Sequence, residues 1–246
     1  MKKIIVNADD YGKSVIDTDL IAECFDKGYI DRTTIMVNMP DVDRAKRIAV
    51  EKSFFNNVGL HLNLTEGTPL TEDIKKEPLF CDPTTGEFNK SFTKNTFAKF
   101  HLNKRCYLAV KKEVSAQIER FLSLGFTSNH LDSHHHIHKY LPILKAIIEV
   151  VEDKSWKSIR IADNVQSKGF ALCYNNFVNK KLKRIKYLDT TDVLLADIKT
   201  ASNFNNTLNC QNIEIVVHPK KGDNSKIYDK DIEINSIFKI KEALNS

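Results

Sequence analysis

Along its whole length the chain alternates short β-rich runs with amphipathic helical segments, and no other feature restricts its fold as strongly. Candidate strands are Lys3–Ala8, Ile35–Val37, Val58–Leu64, Ser128–Leu131, Ser158–Ala162, Tyr187–Leu188 and Ile213–Val217. Residues 104–124 are the clearest helix: Leu108, Val110, Val114, Ile118, Phe121 and Leu122 keep helical spacing, and Gly125 follows as a stop. Residues 139–151 and 231–244 read similarly. Strands joined by helices run parallel, which makes the class α/β, and seven runs is a barrel-like count. A length of 246 residues suits one α/β barrel or doubly wound sheet better than two domains. In such folds sites gather at the carboxyl ends of strands. The stretch from about 68 to 103 breaks the rhythm, turns at Pro83–Thr84–Thr85–Gly86, and reads as an excursion or lid.

Bulk properties exclude several function classes. The net charge is +5, with lysines dispersed and no basic stripe interleaved with aromatics, so nucleic acid is not an expected partner. No apolar run approaches the length of a membrane span, and the Ile4–Val6 run behind Lys2 and Lys3 is too short for a secretory signal. Five scattered cysteines without a C-x-x-C pair suit a reducing compartment, and a soluble cytoplasmic protein is expected.

Four polar clusters stand at four candidate strand ends. "IIVNADDYG" ends an apolar strand in Asn7, Asp9 and Asp10, and adjacent carboxylates repel unless a cation or proton lies between them. An Asp-rich turn or helix cap is the plainer alternative. "YGKS" is not a phosphate-binding loop, because Asn7 stands where that pattern needs glycine. "VGLHLNLTEG" alternates Leu60, Leu62 and Leu64 with His61, Asn63 and Thr65. "NHLDSHHHIH" holds five of the eight histidines, with Asp132 as a partner to orient one of them. Extended chain puts His134, His136 and His138 on one side, whereas a helical turn pairs His134 with His138, and spacing does not choose between them. "IEIVVHPKKG" ends a strand at His218, where Pro219 is expected to stop regular pairing. One carboxylate and two imidazoles can hold a divalent cation with open positions, a second carboxylate can take a proton, and a separate histidine can give one. The set is that of metal-assisted hydrolysis.

"NADDYG", "DRTTIMVNM", "GLHLNLTEGTPL", "HLDSHHHIH" and the late "HP" resemble the YdjC-like carbohydrate deacetylases, which include chito-oligosaccharide deacetylases, in order and spacing from Lys3 to Pro219. The resemblance implies a distorted TIM-like (β/α) barrel and hydrolysis of the N-acetyl group of an acetylated amino sugar or oligosaccharide, with magnesium or zinc. It places Asp10, His61 and His134 at the metal-ligand positions, Asp9 at the general base and His218 at the general acid, and it suggests a homodimer. Asp132 is expected to support a ligand and Arg160 to contact substrate. Where relatives have Gly soon after "HP", this chain has "HPKKGD", inserting Lys220 and Lys221. A barrel metallohydrolase for a phosphoester, lactone or cyclic amide is the alternative reading, followed by a non-catalytic metal-binding protein.

Overall fold

The computed structural model describes residues 2–127, 129–152, 156–185, 188–204 and 210–245. Seven strands form one sheet: β1 (Lys3–Tyr11), β2 (Arg32–Ile35), β3 (Val58–Leu62), β4 (His130–Ser133), β5 (Ser158–Ile159), β6 (Val193–Leu195) and β7 (Asn212–Val217). They lie in the order β5-β4-β3-β2-β1-β7-β6, every pairing is parallel, and the sheet curls into a half-barrel. The connecting helices are α1 (Val15–Asp26), α2 (Val42–Glu51), α3 (Glu72–Lys75), α4 (Ser91–Lys94), α5 (Lys104–Ser123), α6 (Leu141–Val151), α7 (Gly169–Lys183), α8 (Ile198–Ser202) and α9 (Ile237–Asn245). Among the described residues no helix is long and apolar enough to cross a membrane.

The sheet's two edges are stitched together. Ser158 of β5 pairs with Asp189, and the carboxamide of Asn164 donates to the Asp192 carbonyl at 2.7 Å while accepting the Leu194 N–H at 3.1 Å. Backbone groups that an open edge leaves unpaired are thereby satisfied.

Side-chain alternation divides the strands into two sets. Val6, Ala8, Leu60, Leu62, Leu131, Ile213, Ile215 and Val217 join the main apolar core, which α5 closes with Val110, Val114, Ile118 and Phe121. Asn7, Asp9, Arg32, Thr34, His61, Asp132, Arg160 and Glu214 instead meet one another by hydrogen bonds and ion pairs within the half-barrel. Ile161, Leu194 and Val216 add a small apolar cluster of their own. The strands therefore alternate, unlike the continuous apolar runs usual in doubly covered parallel sheets, because their second face is a charge network.

The 68–103 excursion is packed onto the body. Ile74, Phe80 and Phe92 are fully buried, and the Phe80 and Phe92 rings stack at 4.6 Å.

Several sequence expectations shift. The second strand is Arg32–Ile35, not 35–37. The sixth is Val193–Leu195, a three-residue run too short to announce itself; Leu188 is outside any strand, and Tyr187, like Ser128, lies outside the described residues. Pro219 does not end pairing. It opens β8 (Pro219–Lys221), which pairs antiparallel with β9 (Ile227–Asp229), and β9 with β10 (Ile232–Glu233). Proline is tolerated as a strand's first residue, where its missing N–H is not required. The expected 231–244 helix therefore begins only at Ile237.

Candidate active site

A regular strand would send Asp9 and Asp10 to opposite faces. β1 avoids this with a bulge: Asn7 pairs with Arg32 and Ala8 with Thr33, then the register jumps to Tyr11 with Ile35. Asp10 takes the left-handed conformation, φ 72°, which aspartate accepts more readily than most residues. Both carboxylates thus reach the mouth of the half-barrel.

His61, on β3, has Nδ1 at 2.6 Å from Asp132 Oδ1. That carboxylate accepts a hydrogen bond from Nδ1–H, so the ring, when neutral, presents its lone pair at Nε2. Nε2 lies 3.2 Å from Asp10 Oδ1, and both atoms are buried without a hydrogen-bond partner among the described residues. Two such atoms facing each other need either a proton on the imidazole or a cation between them.

His134 follows β4 and brings Nδ1 to 2.8 Å from the same Asp10 oxygen. One ligand atom each from Asp10, His61 and His134 lies within 4.8 Å of the others. The turn is neither extended nor helical: His135 and His136 are both left-handed, φ 53° and 51°. This geometry leaves His134, His135 and His136 lining the cavity and withdraws His138, whose Nδ1 pairs with Ser133 Oγ at 2.7 Å.

Asp9 is held by Arg160 through two bonds of 2.7 Å. The same guanidinium reaches Asp132 at 2.6 Å and Glu214 at 2.9 Å, and Arg32 joins Glu214 at 2.8 Å. Arg160 is only 1% exposed, so its place is behind Asp9 and not against a substrate. His218 approaches Asp9 from the other side, Nε2 to Oδ2 3.9 Å, and remains 42% exposed. Asp9, Asp10, His61, His134 and His218 line one cavity of about 380 Å³, together with Lys13 and Lys220. A larger groove of about 590 Å³, lined by Asp73, Arg105, Leu108 and Lys112 among others, shares none of these residues and lacks their chemistry.

The charges favour a cation. Four carboxylates, Asp9, Asp10, Asp132 and Glu214, face two guanidiniums, Arg32 and Arg160, and the Lys13 ammonium 3.6 Å from Asp10, an excess of one negative charge. Burial opposes ionisation of Asp9, yet the Arg160 guanidinium holds its carboxyl well below the usual carboxylate range. Burial likewise opposes ionisation of Asp10, and the close His134 and His61 imidazoles overcome it. Burial would lower His61, but the Asp132 and Asp9 charges push it up to about 10. A pocket that draws a proton onto a buried imidazole is one that a divalent ion can neutralise instead, with the imidazole deprotonated. The donor set of one carboxylate and two imidazoles fits such an ion.

Sequence reading missed Glu66, whose Oε1 lies 3.5 Å from His134 Nε2 and whose carboxylate also pairs with Lys13 and Lys90. Burial tends to raise its pKa, but the Lys13 ammonium draws it down to about 2. Only its position inside "NLTEG" signalled it. Asn7, Thr34 and Glu214, which hold Asp9, Asp132 and Arg160, stand inside the quoted stretches but received no bracing role, because nothing local to a stretch shows which distant side chain it will support.

A half-barrel of parallel strands with carboxylates and imidazoles gathered at one mouth defines an α/β barrel-type protein with a candidate divalent-cation centre. The chain belongs to the YdjC-like protein family, whose model matches residues 3–240. Similar curated proteins are each named carbohydrate deacetylase. That of Halalkalibacterium halodurans is 37% identical over 145 residues, 59% of this chain and 58% of that protein. That of Brevibacillus brevis is 34% identical over 151 residues, 61% and 56% of the two chains. The matched stretch thus spans less than two thirds of either relative. A crystal structure of an Enterococcus faecalis V583 protein named for cellobiose-phosphate cleavage shares the fold, with a TM-score of 0.74 over 99% of this chain and 94% of that one, at 22% identity.

Proposed function

We propose that the protein is a metal-dependent hydrolase that removes the acetyl group from an acetylated amino sugar or chito-oligosaccharide. The observation that carries this reading is the convergence of one ligand atom each from Asp10, His61 and His134, with Asp10 Oδ1 3.2 Å from His61 Nε2, in the cavity that also holds the Asp9–His218 pair. The shared name of the curated relatives supports the substrate class.

Asp10, His61 and His134 would hold the ion, magnesium or zinc. When bound, it supplies Lewis-acid polarisation of the amide carbonyl and lowers the pKa of water in the site. Asp9 accepts the proton of the attacking water. Because Arg160 keeps that carboxylate ionised, it is ready as a base at neutral pH, though a weak one that needs an acidified water. His218, exposed on the cavity side, donates a proton to the leaving nitrogen as the C–N bond breaks, releasing acetate and the free amine. Acid and base transfer of this kind contributes roughly two to four powers of ten.

Acetate release from diacetylchitobiose, assayed before and after chelation and against a phosphoester panel, tests the reading. Activity on the acetylated sugar that chelation abolishes and metal restores is expected. The variant His134→Ala is expected to lose turnover and metal retention together while staying folded. Turnover of phosphoesters alone, or full activity in His134→Ala, would overturn the assignment.

A further inference from the structure

We propose that Asp229, on the hairpin that follows β7, is a positioning residue for His218; the inference rests on the acid role assigned to His218 above. The chain leaves the parallel sheet at Val217 and enters β8 at Pro219, so the N–H of His218 falls between two strands and belongs to neither ladder. Its register neighbour across the hairpin is the pair Pro219 and Asp229, where proline has no N–H to offer. The ladder therefore cannot fix this point, and a side chain does. Asp229 Oδ1 accepts the His218 N–H at 3.1 Å while Oδ2 accepts the Ile198 N–H at 2.9 Å. The carboxylate is 1% exposed, a charge kept from water and spent on two backbone donors.

The imidazole of His218 is 42% exposed and lies 3.9 Å from Asp9, so little besides its backbone anchor fixes where it points. Hairpin geometry reinforces the anchor: a Cβ on Gly222 would meet the Tyr228 ring at 2.6 Å, so a larger residue there would displace that ring from the turn that returns β9 to His218. Lys220 and Lys221 continue β8 opposite Tyr228 and Ile227 of β9, the strand that carries Asp229 back to the acid.

The test is kinetic, on the metal-loaded full chain, with Asp229→Ala, His218→Ala and the double variant. Asp229→Ala is expected to lower kcat on diacetylchitobiose by about tenfold or more with KM within about twofold, the mark of a group that acts in the transition state. It is expected to add nothing in the His218→Ala background, since the two act as one unit. Hydrolysis of p-nitrophenyl acetate, whose leaving group needs no proton, is expected to stay near wild type in Asp229→Ala. Asp229→Asn keeps the volume and one acceptor oxygen, and gives the same signature at smaller size if the alanine variant does not fold. Wild-type kcat in the variants that fold, or an equal further loss without His218, overturns the role of Asp229. Absence of deacetylation in the wild type overturns the underlying activity instead.

Discussion

Asp10 shows how much of the site hangs on one backbone conformation. Its φ of 72° and the bulge around it are what allow two neighbouring carboxylates to face one cavity. Asparagine tolerates the left-handed region as well as aspartate does, so Asp10→Asn removes charge with little strain. We expect an unfolding midpoint close to wild type but metal affinity lower by on the order of 100-fold, since residues that merely orient ligands already cost 10–100-fold; isothermal titration of the chelated protein measures it. Arg160 carries the opposite charge. Removing it with Arg160→Met leaves Asp9, Asp132 and Glu214 buried without their guanidinium, which costs about 3–5 kcal/mol by urea unfolding. The pair "DD" was legible as a carboxylate pair in the sequence. Its bulge was not, because the left-handed turn is imposed by pairing with β2 on one side and β7 on the other.

Helix α5 is the element whose outline the sequence showed best, observed at Lys104–Ser123, with Gly125 left-handed at φ 87° where a stop was expected. Periodicity did not reveal its polar duty. Glu113, fully buried, accepts the N–H of Leu70 at 3.0 Å and of Thr71 at 2.8 Å. Gln117 bonds both the N–H and the carbonyl of Asn63, whose side chain then accepts from Thr65 and Glu66. The helix thereby fixes the loop after β3 that places Glu66 beside His134. Glu113→Ala orphans two half-buried donors, at about 1 kcal/mol or more each. Lys112→Ala breaks a solvent-exposed pair with Asp73 and is expected to change stability by less than about 1 kcal/mol. Thermal unfolding of the two variants side by side checks the contrast. Glu113 and Gln117 look like ordinary helix surface residues in the sequence, and only the loop after β3 and the start of the excursion, packed over α5, bury them.

For the molecule as a whole, the polar half-barrel makes stability depend on pH in two directions. Burial pushes the imidazoles of His130 and His138 well below the ordinary histidine value, helped by Arg32 and Arg160 at His130 and by His136 at His138. Their folded pKa values are depressed, so the unfolded chain binds more protons, and the stability they contribute is full above about pH 6.5 and is lost as pH falls below it. His61 in the metal-free protein has the opposite sign: raised to about 10, it contributes fully below about pH 6.5, and that contribution is lost as pH rises through about 10. Urea unfolding of the chelated protein from pH 5 to 10 is expected to give a dome, with its acid side flattened in His138→Gln. A monotonic profile contradicts these assignments. By itself, the sequence determined the α/β class, the barrel-like strand count, the long helix and the residue types of the site, because periodicity and strand-end composition are local properties of the chain. The tertiary structure alone decided that Arg160 lies behind Asp9, that the strands' second face is a charge network, and that Pro219 begins a hairpin instead of ending the sheet. Each of these depends on which distant strand supplies a partner for a buried charge or an unpaired N–H, and that choice is made only when the sheet closes.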